Sequence, residues 1–421
     1  MELYKKLGIL ADAAKYDASC ASSGAPAKNS LSGKGIGSTG GMGICHSYTP
    51  DGRCISLLKI LLTNFCRYEC DYCINRNSSN VQRARFSTEE VVRLTLDFYK
   101  RNYIEGLFLS SGVIRSPDYT MEQLVRVARD LRETQDFRGY IHLKTIPDAD
   151  GDLLAEAGRY ADRLSINVEV PTAEGLAQLA PEKDHRTIKL SMARIRARRE
   201  EAEATQRKQS PPQARRRRSS KQRSFAPAGQ STQLIVGADE ASDVTILSKS
   251  NELYASYKLK RVYYSAFSPI PDASKRLPIQ PAPLLREHRL YQADWLVRCY
   301  GFSPREVAST AEGKGMLPLD IDPKLAAALN HRERFPVDLN RASKEMMLRV
   351  PGLGIRTVQQ LLRIRRWHRI RMQDLVALRC SLKRAMPFII CADYHPTQAE
   401  AESLQLRRSM AAPAAQLSLA L

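Results

Sequence analysis

The sequence predicts an α/β fold: a (β/α)6 partial TIM barrel followed by a small all-α domain. Three observations predict it. Apolar, strand-like runs alternate with helix-like stretches from Ile55 to Phe267. Beyond Pro269 only short helical patterns recur. The first apolar run, Ile55 to Thr63, leads straight into Cys66-Arg-Tyr-Glu-Cys70-Asp-Tyr-Cys73, a loop with thiols at C-x3-C-x2-C spacing, the place where a barrel mouth would hold soft ligands. At 421 residues the chain has room for two or three domains. The expected divisions are a Cys/Gly-rich extension (1–53), the barrel (54–270), a helical connector (271–336), a hairpin-bearing region (337–395) and a tail (396–421).

Bulk properties narrow the class. No apolar run is long enough to span a membrane, so no membrane partner is expected. The opening Met-Glu-Leu-Tyr-Lys-Lys lacks the apolar core of a signal peptide. Nine cysteines, an odd number, point to reduced thiols and metal in a cytoplasmic protein rather than to disulfides. The net charge of +20 and pI near 9.7 favour a polyanionic partner, nucleic acid first. A merely solvated basic surface is the alternative.

Leu3 to Ala14 reads as a helix. The glycine-rich stretch through Gly43 either cradles an anion with bare amides or is a flexible lead-in; it lacks the spacing of a P-loop. After the cysteine loop, Ser87 caps a helix at Val91–Arg101, with Glu90 closing a capping box. Gly106–Gly112 is the second strand and its exit turn. A helix at Met121–Glu133 leads to strand three at Tyr140–Ile146, where His142 and Lys144 face either the substrate or solvent. A helix at Asp152–Tyr160 leads to strand four at Leu164–Val170, stopped by Pro171. Its alternation puts Ser165, Asn167 and Glu169 on one polar face, which meets either a ligand or water. Thr172–Arg199 reads as one helix. Arg194 to Arg223 then holds twelve Lys/Arg against three Glu, net +9, and residues 200–231 are expected to be a disordered basic insert. It either scans phosphates or is a tolerated surface loop. Strand five begins at Gln233 and strand six covers Leu259–Phe267.

Thiolates suit zinc or iron–sulfur clusters. Zinc normally takes four protein ligands from paired knuckles, and no second C-x2-C lies near Cys66, Cys70 and Cys73. Three cysteines can hold three corners of a [4Fe–4S] cube. At these residues, with Tyr72 in the aromatic slot beside Cys73, the sequence resembles the radical S-adenosylmethionine (SAM) superfamily. The resemblance implies a [4Fe–4S] cluster on Cys66, Cys70 and Cys73, SAM chelated to its open iron, and cleavage of SAM to a 5′-deoxyadenosyl radical. It implies that Tyr72 shields the cluster near the adenine. It also implies that Ser110, Ser111 and Gly112, in the slot of a Gly-Gly-Glu-like segment whose Glu is missing here, Asn167, Glu169 and Gly237 line SAM. Ile235, Gly237 and Glu240 match the family's strand-five pattern, with Gln233 in place of its first glycine. Cys20, Cys45 and Cys54, with His46 beside them, are either ligands of an auxiliary cluster, as in some family members, or ordinary cysteines. An electron donor such as flavodoxin or ferredoxin follows.

After a Pro-rich connector come short helices at Arg289–Tyr300, Pro304–Ser309 and Pro323–Asn330. Then Pro351-Gly-Leu-Gly-Ile-Arg-Thr357, between a helix from Lys344 and one through Arg366, resembles the helix-hairpin-helix DNA-binding module. Gly352 and Gly354 would let the backbone approach a phosphate, and the amides around Gly354, Ile355, Arg356 and Thr357 would donate to it. A hairpin that serves only packing, or a protein interface, is the alternative. The whole arrangement resembles the DNA modification/repair radical SAM proteins, which implies DNA as substrate and a uracil-DNA-glycosylase-like partner. An RNA-directed enzyme and a non-catalytic DNA-binding iron–sulfur scaffold are the competing expectations.

Overall fold

The computed structural model describes residues 2–14, 43–48, 53–209, 224–397 and 403–411. Cys20, nearly all of the glycine-rich stretch and Arg215–Arg218 lie outside them. The chain divides into two compact units, one of residues 1–239 and 252–281, the other of residues 240–251 and 282–421.

The first unit opens with helix α1 (Leu3–Ala14), which buries Leu10, Ala11 and Ala14. Its sheet has seven strands in sequence order: β1 (Ile44–Tyr48), β2 (Cys54–Leu61), β3 (Gly106–Ser110), β4 (Tyr140–Lys144), β5 (Arg163–Ser165), β6 (Gly229–Val236) and β7 (Arg261–Ala266). β2 to β7 are parallel, and β1 pairs antiparallel with β2. Every residue of β3 and β6 is buried, as parallel strands covered by helices must be. The crossovers carry α2 (Thr88–Lys100), α3 (Pro117–Arg129, continued by a π-helical turn to Thr134), α4 (Gly151–Tyr160), then α5 (Ala173–Leu179) and α6 (His185–Gln209), and finally α7 (Asp243–Tyr257). The Ser87–Glu90 capping box of α2 forms, with both reciprocal hydrogen bonds.

Several expectations need correction. Within the extension expected over 1–53, β1 adds an antiparallel strand to the sheet and places Cys45 in an apolar cluster with Ile55, Leu57 and Phe108. Cys54 sits exposed opposite Tyr48, and Cys45 opposite Leu57, so the two do not converge as an auxiliary cluster would require. The insert expected to be disordered over 200–231 is folded at both ends: α6 continues to Gln209, and β6 starts at Gly229 rather than Gln233, while residues 210–223 lie outside the described ones. Ion pairs four residues apart, Arg196–Glu200 and Arg199–Glu203, extend that helix into the basic region. Residues 172–199 form two helices, broken before Pro181. Strand four is regular only over Arg163–Ser165. The chain then follows β6 irregularly, because Thr232 Oγ1 takes the Val168 amide at 3.0 Å and Glu169 turns left-handed (φ +71°).

The second unit holds α8 (Leu284–Tyr300), α9 (Pro304–Ala308), α10 (Pro323–Asn330), α11 (Lys344–Arg349), α12 (Ile355–Ile364), α13 (Met372–Ala377), α14 (Leu382–Ala385) and α15 (Ser403–Met410). It is not strictly all-α: β8 (Val337–Asp338) pairs parallel with β9 (Ile389–Ile390). Leu325, Leu339, Met347, Val358, Leu361 and Phe388 centre its core. Segment 240–251 packs with this unit, where the buried Asp243 accepts from Arg286 Nε at 2.7 Å and from the Leu317 amide at 2.9 Å. Among the described residues no helix is long and apolar enough to cross a membrane.

Candidate active site

A cavity of about 280 Å³ opens at the C-terminal ends of the parallel strands of the first unit. Residues that follow β2 and residues that follow β7 line the same space, so the open sheet is curled into a partial barrel. Cys66, Cys70 and Cys73 all line it. As the chain stands, no three His, Cys, Asp or Glu side chains among the described residues converge on a point that would hold one metal ion. The three thiols stand around the cavity wall instead.

The cysteine loop is held by backbone and by one arginine. The Arg67 amide donates to Val113 O at 2.9 Å and the Asp71 amide to Leu179 O at 2.7 Å. The Arg83 guanidinium donates to the carbonyls of Asn75 (2.9 Å), Arg76 (2.5 Å) and Ser79 (2.9 Å), and also to that of Asn64. Gly112 is required by close approach: a Cβ there would lie 2.3 Å from Phe65 O and 3.2 Å from Cys66 Cβ. Two amides point at sulfur, Asn75 N at Cys73 Sγ and Val113 N at Cys66 Sγ, each at 3.4 Å. Burial pushes the Cys70 thiol up to about 12 and the Cys73 thiol up to about 11. Both are therefore protonated until a cation takes their sulfurs, and metal loading must release those protons. Three soft donors, two of them met by sulfur-directed amides, around a cavity larger than one ion fit a cluster with one free corner better than a closed zinc knuckle.

A line of polar side chains borders the same cavity. Lys183 Nζ donates to Glu169 Oε1 at 2.6 Å and to the Tyr72 hydroxyl at 3.4 Å. Asn167 Nδ2 donates to Glu169 Oε2 at 3.4 Å and to Gln233 Oε1 at 3.3 Å. Burial opposes the charge on Lys183, but the neighbouring anions, the Cys70 sulfur once it has lost its proton and the Glu169 carboxylate already before that, outweigh it and hold the ammonium well above its ordinary pKa. Burial pushes the Tyr72 phenol well up, so it stays neutral.

The structure brings Tyr72, Ser111, Gly112, Asn167 and Glu169 to the cavity. Four other candidates do not reach the lining. Ser110 is buried within β3, one residue before the lining begins. Gly237 (φ +80°) turns the chain after β6, and Gln233 and Ile235 line the cavity in its place. His142 and Ser165 bond each other at 2.9 Å beneath the cavity, and burial holds His142 well below its usual pKa. Lys144 does reach the lining. The sequence reading misses Lys183; the Pro181 that breaks the helix before it was the available signal.

In the second unit, α11 and α12 flank Val350–Gly354. Gly352 is left-handed (φ +82°), and a Cβ on it would lie 2.8 Å from Ser381 O, so packing within the unit already requires glycine there. Gly354 N-caps α12 at φ −91°, where a Cβ would meet only the Tyr300 hydroxyl at 3.8 Å. Arg356 is exposed on the first turn, with Ile355 and Thr357 half-buried beside it.

A search of curated proteins returns no match. Among solved structures, the chain resembles the FeFe-hydrogenase maturase HydG from Carboxydothermus hydrogenoformans at 13% identity and TM-score 0.41, over 56% of this chain and 50% of that one. It resembles a radical SAM methyltransferase from Sphaerobacter thermophilus at 14% identity and TM-score 0.37, over 59% of this chain and 69% of that one. It also resembles the radical SAM methyltransferase TsrM from Kitasatospora setae, with cobalamin and a [4Fe-4S] cluster bound, at 12% identity and TM-score 0.35, over 86% and 61%. The chain thus spans about half the length of the maturases it matches. Residues 60–201, from the end of β2 through the cysteine loop to α6, match the family model described as the Radical SAM superfamily. That stretch is a radical SAM enzyme domain, and its cofactors are a [4Fe–4S] cluster and S-adenosylmethionine.

Proposed function

We propose that the protein is a radical SAM enzyme that modifies or repairs DNA. The chemical half rests on one observation: the three thiols of the cysteine loop line one cavity at the mouth of the partial barrel. Cys66, Cys70 and Cys73 would hold the cluster, which when reduced supplies the electron that cleaves SAM to methionine and a 5′-deoxyadenosyl radical able to take a hydrogen atom from substrate. The chain's own residues bind and orient. Lys183 and Glu169 present paired charges suited to the carboxylate and amino group of the methionine moiety. The Asn167 and Gln233 amides offer donors and acceptors suited to ribose hydroxyls. Tyr72, packed under Lys183, closes the wall beside Cys73 and would shield a cluster held there.

The substrate half is supported by charge. No Asp or Glu stands between Glu345 and Asp374, a span that carries the hairpin and its following helix. Amides at the start of α12 suit a phosphate without reading base sequence. A cytoplasmic setting, a flavodoxin- or ferredoxin-like donor and a uracil-DNA-glycosylase-like partner complete the reading. The test is 5′-deoxyadenosine formation by anaerobically reconstituted protein with dithionite and SAM, with and without duplex DNA carrying uracil or damaged bases. Stimulation by DNA is expected. Equal or greater stimulation by RNA of the same sequence would move the substrate to RNA, and no product from cluster-loaded, SAM-binding protein would favour a scaffold.

A further inference from the structure

Trp367 stands out on the second unit. It is 87% exposed, although tryptophan is rarely left in water by a fold that has no use for it. The chain's other tryptophan, Trp295, is 45% exposed and has the Arg298 guanidinium 5.6 Å from its ring centroid.

Trp367 does not sit on a loose end. It lies in the turn after α12, where its amide donates to Ile364 O at 2.9 Å. On one side Arg365 Nη1 donates to Ala342 O at 2.7 Å. On the other the buried Ile370 donates its amide to Asn340 Oδ1 at 2.7 Å. The indole is therefore presented by a turn pinned at both ends. Arg363, Arg366, Arg369 and Arg371, all within four residues of it along the chain, are exposed. The nearest acid in sequence, Asp374, is turned to His368 Nε2 at 3.1 Å and to the Arg371 amide at 2.8 Å.

An exposed indole on a pinned turn, flanked along the chain by exposed arginines, complements a polyanion that carries π-faces of its own. An acidic protein segment offers the charge without the faces, and duplex DNA hides its base faces inside the stack. We infer that the Trp367 turn is a stacking platform for an unpaired base in a single-stranded stretch of nucleic acid, with the surrounding arginines on its phosphates. This rests on the nucleic-acid reading above and deepens it, because it commits the substrate to a strand with at least one base outside the helix.

The test uses the full chain carrying W295F, so that Trp367 is the sole tryptophan. A thymine homopolymer single strand and a blunt duplex of equal length are titrated at one salt concentration, with Trp367 emission and the anisotropy of a labelled oligonucleotide both recorded. Single strand should quench Trp367. W367A should weaken single-strand binding by about 5- to 100-fold while duplex binding is unchanged, and W367F should keep most of the affinity. Single-strand binding with no quenching and no loss in W367A would overturn the platform and leave the nucleic-acid reading standing. Equal quenching by polyglutamate would reduce the face to its charge and overturn it likewise. Failure of both strands to bind would remove the nucleic-acid reading itself.

Discussion

Glu169 carries two costs at once. It is a buried carboxylate, and its backbone sits at φ +71°, a region that residues with a Cβ seldom adopt. Each cost is met by its own neighbour: Gln233 O accepts its amide at 3.1 Å, and Lys183 meets its side chain at 2.6 Å. The Lys183 and Glu169 side chains are 13% and 7% exposed, so the pair is largely dry. Removing one partner leaves the other charge buried alone, which costs about 3–5 kcal/mol. Lys183→Met should therefore lower the melting temperature of the first unit sharply. The double variant Lys183→Met with Glu169→Gln should recover most of that loss, because no lone charge remains. A single variant as stable as the parent would show that the pair is wet and does not organise the cavity. Of this site the thiols were legible, because their spacing falls within one short loop. Lys183 was not, because it reaches Tyr72 from 111 residues away and its position depends on where one helix ends.

At the level of elements, the two hairpin glycines are separable. Gly352 is fixed by its left-handed turn and by Ser381 O, whereas Gly354 has an ordinary backbone and open space. Gly352→Ala should destabilise the second unit by about 1–3 kcal/mol, read by thermal denaturation. Gly354→Ala should leave the melting temperature nearly unchanged and weaken duplex DNA binding, because its added methyl stands where a phosphate would approach. Unaltered DNA affinity in Gly354→Ala would make this a packing hairpin. Most elements were legible: α1 and α10 fall at their expected residues, and Ser87 caps α2 as its spacing with Glu90 requires. The misses share one cause. β1 has a partner but little pattern of its own, α6 is extended by ion pairs within a run that composition marks as disordered, and β5 is cut short by the Thr232 hydroxyl. In each case a tertiary or side-chain partner overrides local pattern.

For the whole molecule, the division into units is not a single cut in the sequence. Segment 240–251 leaves the barrel's connection to complete the second unit, and Asp243 is the reason it is held there. Its side chain is fully buried, takes Arg286 Nε at 2.7 Å and caps the Leu317 amide at 2.9 Å, while Arg286 also reaches Ala241 O at 2.8 Å. Composition placed the boundary at the Pro-rich connector near residue 270, because nothing local marks a twelve-residue segment as belonging to a core built 40 or more residues later. The consequence is measurable. Asp243→Ala strands the Arg286 guanidinium and frees the Leu317 amide, a loss of about 3–5 kcal/mol confined to the second unit. Calorimetry of the full chain should show one transition moved down and the other in place. Limited proteolysis of Asp243→Ala should in turn cut faster after residue 282 than before 239. A single transition that shifts as a whole would mean that the two units unfold as one cooperative body, and that Asp243 supports both.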